Sequence, residues 1–244
     1  MIRAVIFDFN GVLVDDEPIH FDLFREVLAQ EGVTLTEREY HERYLGYDDR
    51  GCFAAALRAA GQSFDPPRLD ELVARKAKRY IALAEKGMPY FPDVAETLEG
   101  LANRWPVAIC SGALRAEIET VIGRLGLLHR LAAVVAAEDV DACKPDPAGY
   151  LKTLEVLRAQ FADAPAIIRS QLLQAHQCLV VEDSLAGVIS ARDAGMRAVG
   201  ITHTYTEPEL RAAGAEAVVD GLRALTPDWI ERQFGASPDG KGQP

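Results

Sequence analysis

A few side chains in this sequence are of the types that handle phosphate and a hard cation. Asp8 ends an apolar run and is followed at once by Asn10-Gly11, a turn signal. Ser111-Gly112 follows a second apolar run, over 107–110, and opens a helical pattern. A hydroxyl with backbone N–H groups at a helix start makes an anion site. Lys144 stands in Cys-Lys-Pro-Asp-Pro just before another helical pattern, and Glu182-Asp183-Ser184 follows the apolar run over 179–181. Asp8, Glu182 and Asp183 would make an oxygen-rich site for Mg2+, which takes few carboxylates plus water and phosphate. The cation would screen Asp8 from a substrate's negative charge, since the bare carboxylates would repel a phosphate. Ser111, Gly112 and Lys144 suit the phosphoryl oxygens. Each residue taken alone has a plainer reading, as a loop cap, a helix N-cap or a solvated charge. Their common position, at the ends of strand-like runs, gives them one task.

The elements that must carry them alternate along most of the chain. The β-branched run over 4–7 reads as a short buried strand, and open α/β sheets bind ligands at the carboxyl ends of such strands. Strands are expected over 106–110, 133–136, 178–181, 198–201 and 217–219. Helices are expected over 114–125, 147–157, 185–194, 207–213 and 222–234. This alternation implies a doubly wound parallel sheet, an α/β fold. Residues 17–86 break the pattern, because apolar positions there recur at helical spacing and no strand is convincing. Turns are expected at Gly46, Gly61 and Pro66-Pro67, and Lys76, Lys78 and Lys86 read as solvated helix positions. The expected organisation is an α/β core from 1–16 and 87–235, a helical unit over 17–86 inserted after the first strand, and a polar tail over 236–244. The long connection over 158–177 suggests an added helix, read as a surface elaboration or an oligomer contact.

The 244 residues suffice for one large domain or two smaller ones, and 49% apolar with 26% charged residues is ordinary for a globular protein. A formal net charge of −11 argues against a broad nucleic-acid surface. The cysteines, Cys52, Cys110, Cys143 and Cys178, are widely spaced, which fits reduced thiols in a cytoplasmic protein. The first strand begins directly after Met1-Ile2-Arg3, so no signal peptide is expected, and no run has membrane-spanning length.

With these motifs in order, the chain resembles the haloacid dehalogenase superfamily, in the helical-cap branch that includes phosphoglycolate phosphatases and β-phosphoglucomutase. The resemblance spans roughly residues 2–234. It implies a Mg2+-dependent phosphohydrolase acting on a small phosphorylated metabolite, as a monomer or weak homodimer. It implies that Asp8 attacks phosphorus to form an aspartyl phosphate. Mg2+ would be held by Asp8, the backbone carbonyl of Asn10 and Asp183, with Glu182 beside it. Ser111 and Lys144 match the phosphate-binding residues. The segment over 17–86 would be the cap that chooses the substrate, through His20, Gly46 and Arg50, the last suited to a second anionic group.

One position departs from that pattern. Family phosphatases carry Asp two residues after the nucleophile, to protonate the leaving oxygen and then activate water, whereas this chain has Asn10. An amide does not shuttle protons at neutral pH, and general acid–base catalysis is typically worth ~10²–10⁴-fold. Three accounts remain open: another group, Glu17 or His20, substitutes; Asn10 is a trapping substitution; or the protein binds a phosphorylated ligand without useful turnover. A mutase or a dehalogenase are the other enzyme readings. The paired Glu182-Asp183 argues against the dehalogenase, whose chemistry needs no metal.

Overall fold

In the computed structural model, which describes residues 1–159 and 173–235, strand β1 (Ala4–Phe7) is buried along its whole length. A strand covered on both faces needs apolar residues at every position, and Ala-Val-Ile-Phe supplies them. It lies inside a six-stranded sheet with β2 (Val107–Cys110), β3 (Leu131–Val135), β4 (Cys178–Glu182), β5 (Arg197–Ile201) and β6 (Ala217–Val219). The spatial order is β3-β2-β1-β4-β5-β6, and every pairing is parallel. The strand order therefore reverses between β1 and β4, the crevice where doubly wound sheets bind ligands.

Alternation along β1 divides the core in two. Val5 and Phe7 pack with Val107, Ile109, Leu179 and Val181 on one face, whereas Ala4 and Ile6 pack with Ala108, Cys178 and Val180 on the other. Helices α5 (Val94–Ala102), α6 (Arg115–Arg124) and α10 (Pro227–Phe234) cover the first face. Helices α7 (Ala148–Ala159), α8 (Leu185–Asp193) and α9 (Glu207–Ala213) cover the second. Each fully buried Val, Ile or Phe contributes roughly 1.5–3 kcal/mol relative to exposure. This packing holds the register that matters for the site. Phe7 pairs with both Ile109 and Val181, so the three central strands end level with one another.

Between β1 and α5 the chain is helical: α1 (Glu17–Gln30), α2 (Glu37–Arg43), α3 (Asp49–Ala59) and α4 (Pro66–Ala84). These helices share a core of their own, which includes Phe24, Leu28, Phe53, Leu57 and Leu72. Their starts are set locally. Thr36 and Glu39 form a capping box on α2, and the Asp48 side chain accepts from Gly51 N–H to cap α3. Pro66-Pro67, expected as a turn, instead opens α4 behind its cap Asp65, because proline's fixed φ and missing N–H are harmless at a helix start. The linkers into and out of this segment run side by side. Val14 bridges Tyr90, Asp15 N–H donates to Pro89 carbonyl at 2.7 Å, and Phe91 N–H donates to Leu13 carbonyl at 3.2 Å.

Expected and observed element ends agree within about two residues. The exception is 222–234, where a 3-10 turn at Leu222–Ala224 precedes α10 and Pro227 starts the helix afresh. The helix expected within 158–177 and the tail over 236–244 fall outside the described residues, save for the ends of the connection. Among the described residues, no helix is long and apolar enough to cross a membrane.

Candidate active site

The level ends of β1, β2 and β4 bring Asp8, Ser111 and Asp183 to one edge of the sheet. The turn after β1 is shaped for this approach. Gly11 has φ +73°, and a Cβ there would stand 2.2 Å from Asp183 Oδ2, so only glycine lets the two loops meet. Gly187, at the start of α8, makes the same allowance for Glu182, whose Oε1 would lie 1.7 Å from an added Cβ. His203 clamps the β1 turn from the far side, with Nδ1 2.8 Å from the Gly11 carbonyl and its ring stacked on Phe91 at 3.7 Å.

Lys144 enters from the loop before α7 and joins two of the acids. Its Nζ lies 2.9 Å from Asp8 Oδ1 and 2.5 Å from Glu182 Oε1. Glu182 has no exposed surface and is fully engaged. Tyr150 hydroxyl donates to Oε1 at 2.7 Å, and Ser184 donates to Oε2 through its hydroxyl at 2.9 Å and its N–H at 3.2 Å. Glu182 thus holds Lys144 in place as much as it faces the cluster. Asp183 Oδ2 accepts from the Thr204 hydroxyl.

The electrostatics follow from this crowding. Burial raises the Asp8 carboxyl to about 6, Glu182's charge adds to the rise, and Lys144 pulls against it. Burial, with the charges of Glu182 and Asp8, also lifts Asp183 well above the usual carboxylate range. Burial opposes the charge on Lys144, but Asp8 and Glu182 override it and hold its pKa above the usual lysine value.

The donor set fits a hard divalent cation. One oxygen from each of Asp8, Glu182 and Asp183 lies within 4.8 Å of the others, and all three residues are buried. Asp8 Oδ1 is buried without an aligned hydrogen-bond donor among the described residues. Crowded carboxylates raised toward protonation are what a dication would relieve.

Asn10 turns its side chain the other way. Its Oδ1 accepts from Ser111 hydroxyl at 3.3 Å, its Nδ2 donates to Asp16 Oδ2 at 2.8 Å, and His20 Nε2 lies 3.0 Å from that same Nδ2. Asp16 stands at the start of α1 but makes no cap bond with its side chain. Instead, wholly buried, it also accepts from the Tyr80 hydroxyl and lies 3.2 Å from His20 Nε2. For Asp16, burial raises the pKa, and the His20, Tyr80 and Asn10 contacts outweigh it, so the group is held below its usual value. For His20, burial and the Lys76 charge oppose protonation, and the charges of Asp16 and Glu117 override them, so its pKa is raised.

These groups line a cavity of about 270 Å³ with Gly46, Gly112 and Tyr47 among its other walls. Asp8, Asn10, Ser111, Gly112, Lys144, Asp183, His20 and Gly46 all border it, while Glu182 lies behind Lys144. Arg50 does not. It is exposed on α3 and paired with Asp70 of α4, because two residues past the cap Asp48, about half a helical turn, its side chain leaves the cavity's side. Lys76, read as solvated, has no exposed surface. Its Nζ lies 2.6 Å from Asp49 Oδ1 and 3.8 Å from Glu117 Oε1, and over the Phe24 and Tyr80 rings.

Sequence reasoning passed over Asp16, Tyr150, Thr204 and Gly187. Asp16 carried a signal, since Asp16 and His20 stand four apart at a helix start and so share a face. Its neighbour Asp15 is exposed at the cavity's border instead. Tyr150 and Thr204 carried no signal, because their partners lie 32 and 21 residues away.

A doubly wound sheet with a carboxylate-rich, lysine-braced site at its switch point defines a Rossmann-like α/β protein equipped to handle phosphate. The chain belongs to the haloacid dehalogenase-like hydrolases, matching that family over residues 2–195. It is 30% identical over 221 residues to a phosphorylated carbohydrates phosphatase of Thermotoga maritima, covering 89% of this chain and 94% of that one. It is 26% identical over 235 residues to a phosphoglycolate phosphatase of Mesorhizobium japonicum, covering 96% and 97%. Among solved structures, β-phosphoglucomutase from Clostridium difficile shares the fold with a TM-score of 0.78 at 21% identity, covering 96% of this chain and 97% of that one. The protein is a hydrolase of the phosphatase kind.

Proposed function

We propose that the protein hydrolyses a small phosphate monoester through an aspartyl phosphate on Asp8. The observation that carries this reading is the meeting of Asp8, Lys144 and Asp183 on the cavity floor at the strand-order reversal. An Asp8 oxygen would attack phosphorus as the ester P–O bond breaks, and water would then take the phosphoryl group from Asp8. Mg2+, held by Asp8 and Asp183 with Glu182 beside them and the carbonyl of Asn10, would supply charge neutralisation at the phosphoryl oxygens. Lys144 and Ser111 would bind the same oxygens and stabilise charge that develops there. The helical segment over 17–86 would act as the cap that closes the cavity and excludes water.

Asn10 leaves the leaving oxygen without its usual proton donor, and the Asp16–His20 pair is the substitute this reading names. His20 borders the cavity, its Nε2 lies 3.0 Å from the Asn10 amide and 3.2 Å from Asp16 Oδ2, and the Asp16 charge favours the protonated ring whose Nε2 proton would pass to the leaving oxygen. The reduced thiols support a cytoplasmic setting.

The test is phosphate release with Mg2+ from a panel of small esters, by the chain as it stands beside Asp8→Ala, His20→Gln and Asn10→Asp. Asp8→Ala is expected to abolish turnover. His20→Gln is expected to lower kcat by ~10²-fold and flatten its pH profile. Turnover by Asn10→Asp alone would mark this chain as a trapped variant or a binding protein instead.

A further inference from the structure

We infer that the substrate is a monophosphate ester of a hydroxyl-rich, non-anionic leaving group, read by Asp48 and Glu17. The inference rests on the phosphatase reading and adds the class of compound. Among the described residues bordering the cavity, Lys144 is the only lysine or arginine, and both Asp8 and Glu182 already hold it. Arg50, the group suited to a second anion, points outward to Asp70. Carboxylates border the cavity instead: Glu17 and Asp48 from the helical segment, Asp146 from the loop before α7 and Asp15 from the linker.

The N-terminus of α3 faces this space and would ordinarily favour an anion. Here its own Asp48 fills that place, 2.8 Å from Gly51 N–H. Asp48 also acts on the opposite wall, where burial and the neighbouring Asp48 carboxylate push the Cys143 thiol up to about 12. Glu17 accepts from Tyr40 hydroxyl. A carboxylate accepts at about four positions, so both acids retain capacity for substrate hydroxyls. Tyr47 and Tyr205 supply ring surface for the carbon skeleton. A second phosphate or a carboxylate on the leaving group would meet these like charges and no free lysine or arginine among the described residues.

Hexitol 6-phosphate, phosphoglycolate and glucose 1,6-bisphosphate separate the possibilities. With Mg2+ present, each is measured for phosphate release and, by calorimetry, for binding. Hexitol phosphate is expected to bind more tightly than both anionic-tailed esters, with a Kd at least about tenfold lower, and to show a correspondingly higher kcat/KM where turnover occurs. Asp48→Asn, which keeps a competent helix cap, is expected to narrow that ratio several-fold. Binding in this order without phosphate release would sink the phosphatase reading and leave the substrate class standing. Equal or tighter binding of phosphoglycolate or the bisphosphate, an unchanged ratio in Asp48→Asn, or no binding of any of the three would overturn the inference.

Discussion

Among the described residues two lysines lie between two carboxylates, Lys144 partly buried and Lys76 wholly so, and they serve different ends. Lys144 joins Asp8 and Glu182 beside the cavity. Lys76 joins Asp49 and Glu117 under the aromatic rings of Phe24 and Tyr80, and none of the three borders the cavity. Burial works against the charge of both lysines, and in each case the paired carboxylates override it and raise the pKa. Local electrostatics therefore do not distinguish a functional cluster from a structural one. What distinguishes them is the place in the fold. Lys144 meets the ends of the central strands where the sheet opens. Lys76 ties the helical segment, through α3 and α4, to α6 of the α/β core.

The contrast is sharpened most by replacing each lysine with methionine. Lys144→Met is expected to lower kcat by at least about 10³-fold, since a cation at the phosphoryl oxygens is lost. The stability it loses through three uncompensated acids is expected to return in part with Mg2+, read from urea midpoints with and without the metal. Lys76→Met is expected to cost about 3–5 kcal/mol, because it strands Asp49 and Glu117, and Mg2+ should not restore it. A Lys76 variant rescued by Mg2+ would erase the distinction.

A smaller effect concerns pH. Asp8 is raised to about 6 in the metal-free protein, and a cation binds only its ionised form. Mg2+ affinity should therefore rise as pH increases through 6 and fall by about tenfold per unit beneath it, as calorimetry would measure. Affinity that stays flat from pH 5 to 7 would remove Asp8 from the ligand set. The smallest effect is at Arg50. Its pair with Asp70 is exposed on both sides, so Arg50→Ala should change stability by less than about 0.5 kcal/mol and leave kcat/KM unchanged.

Why one lysine was legible in the sequence and the other was not follows from the same comparison. Lys144 could be read because it follows a strand–helix alternation whose strand ends must converge. The buried runs around Val5, Ile109 and Val180 announce that alternation without knowledge of any contact. Lys76 sits on an amphipathic helix at a position where a solvated lysine is the ordinary expectation. Its acids come from Asp49 and Glu117, 27 residues before it and 41 after, a meeting set by how α4 packs on α3 and α6. Arg50 failed in the opposite sense. Its residue type suited an anion, but two residues along α3, about half a turn, separate it from Asp48 and turn it to solvent. The choice between Asp15 and Asp16 likewise depended on a single residue's direction at a chain turn.

The side-by-side linkers have a consequence for how the molecule can be rebuilt. Because Val14 lies against Tyr90, and Asp15 against Pro89, the helical segment leaves and rejoins the α/β body through one paired stem. Such a stem is a socket. A short turn joining its two strands would close the body without the segment, and a different helical unit with similarly close ends would plug into the same place, keeping Asp8 while changing what stands above it.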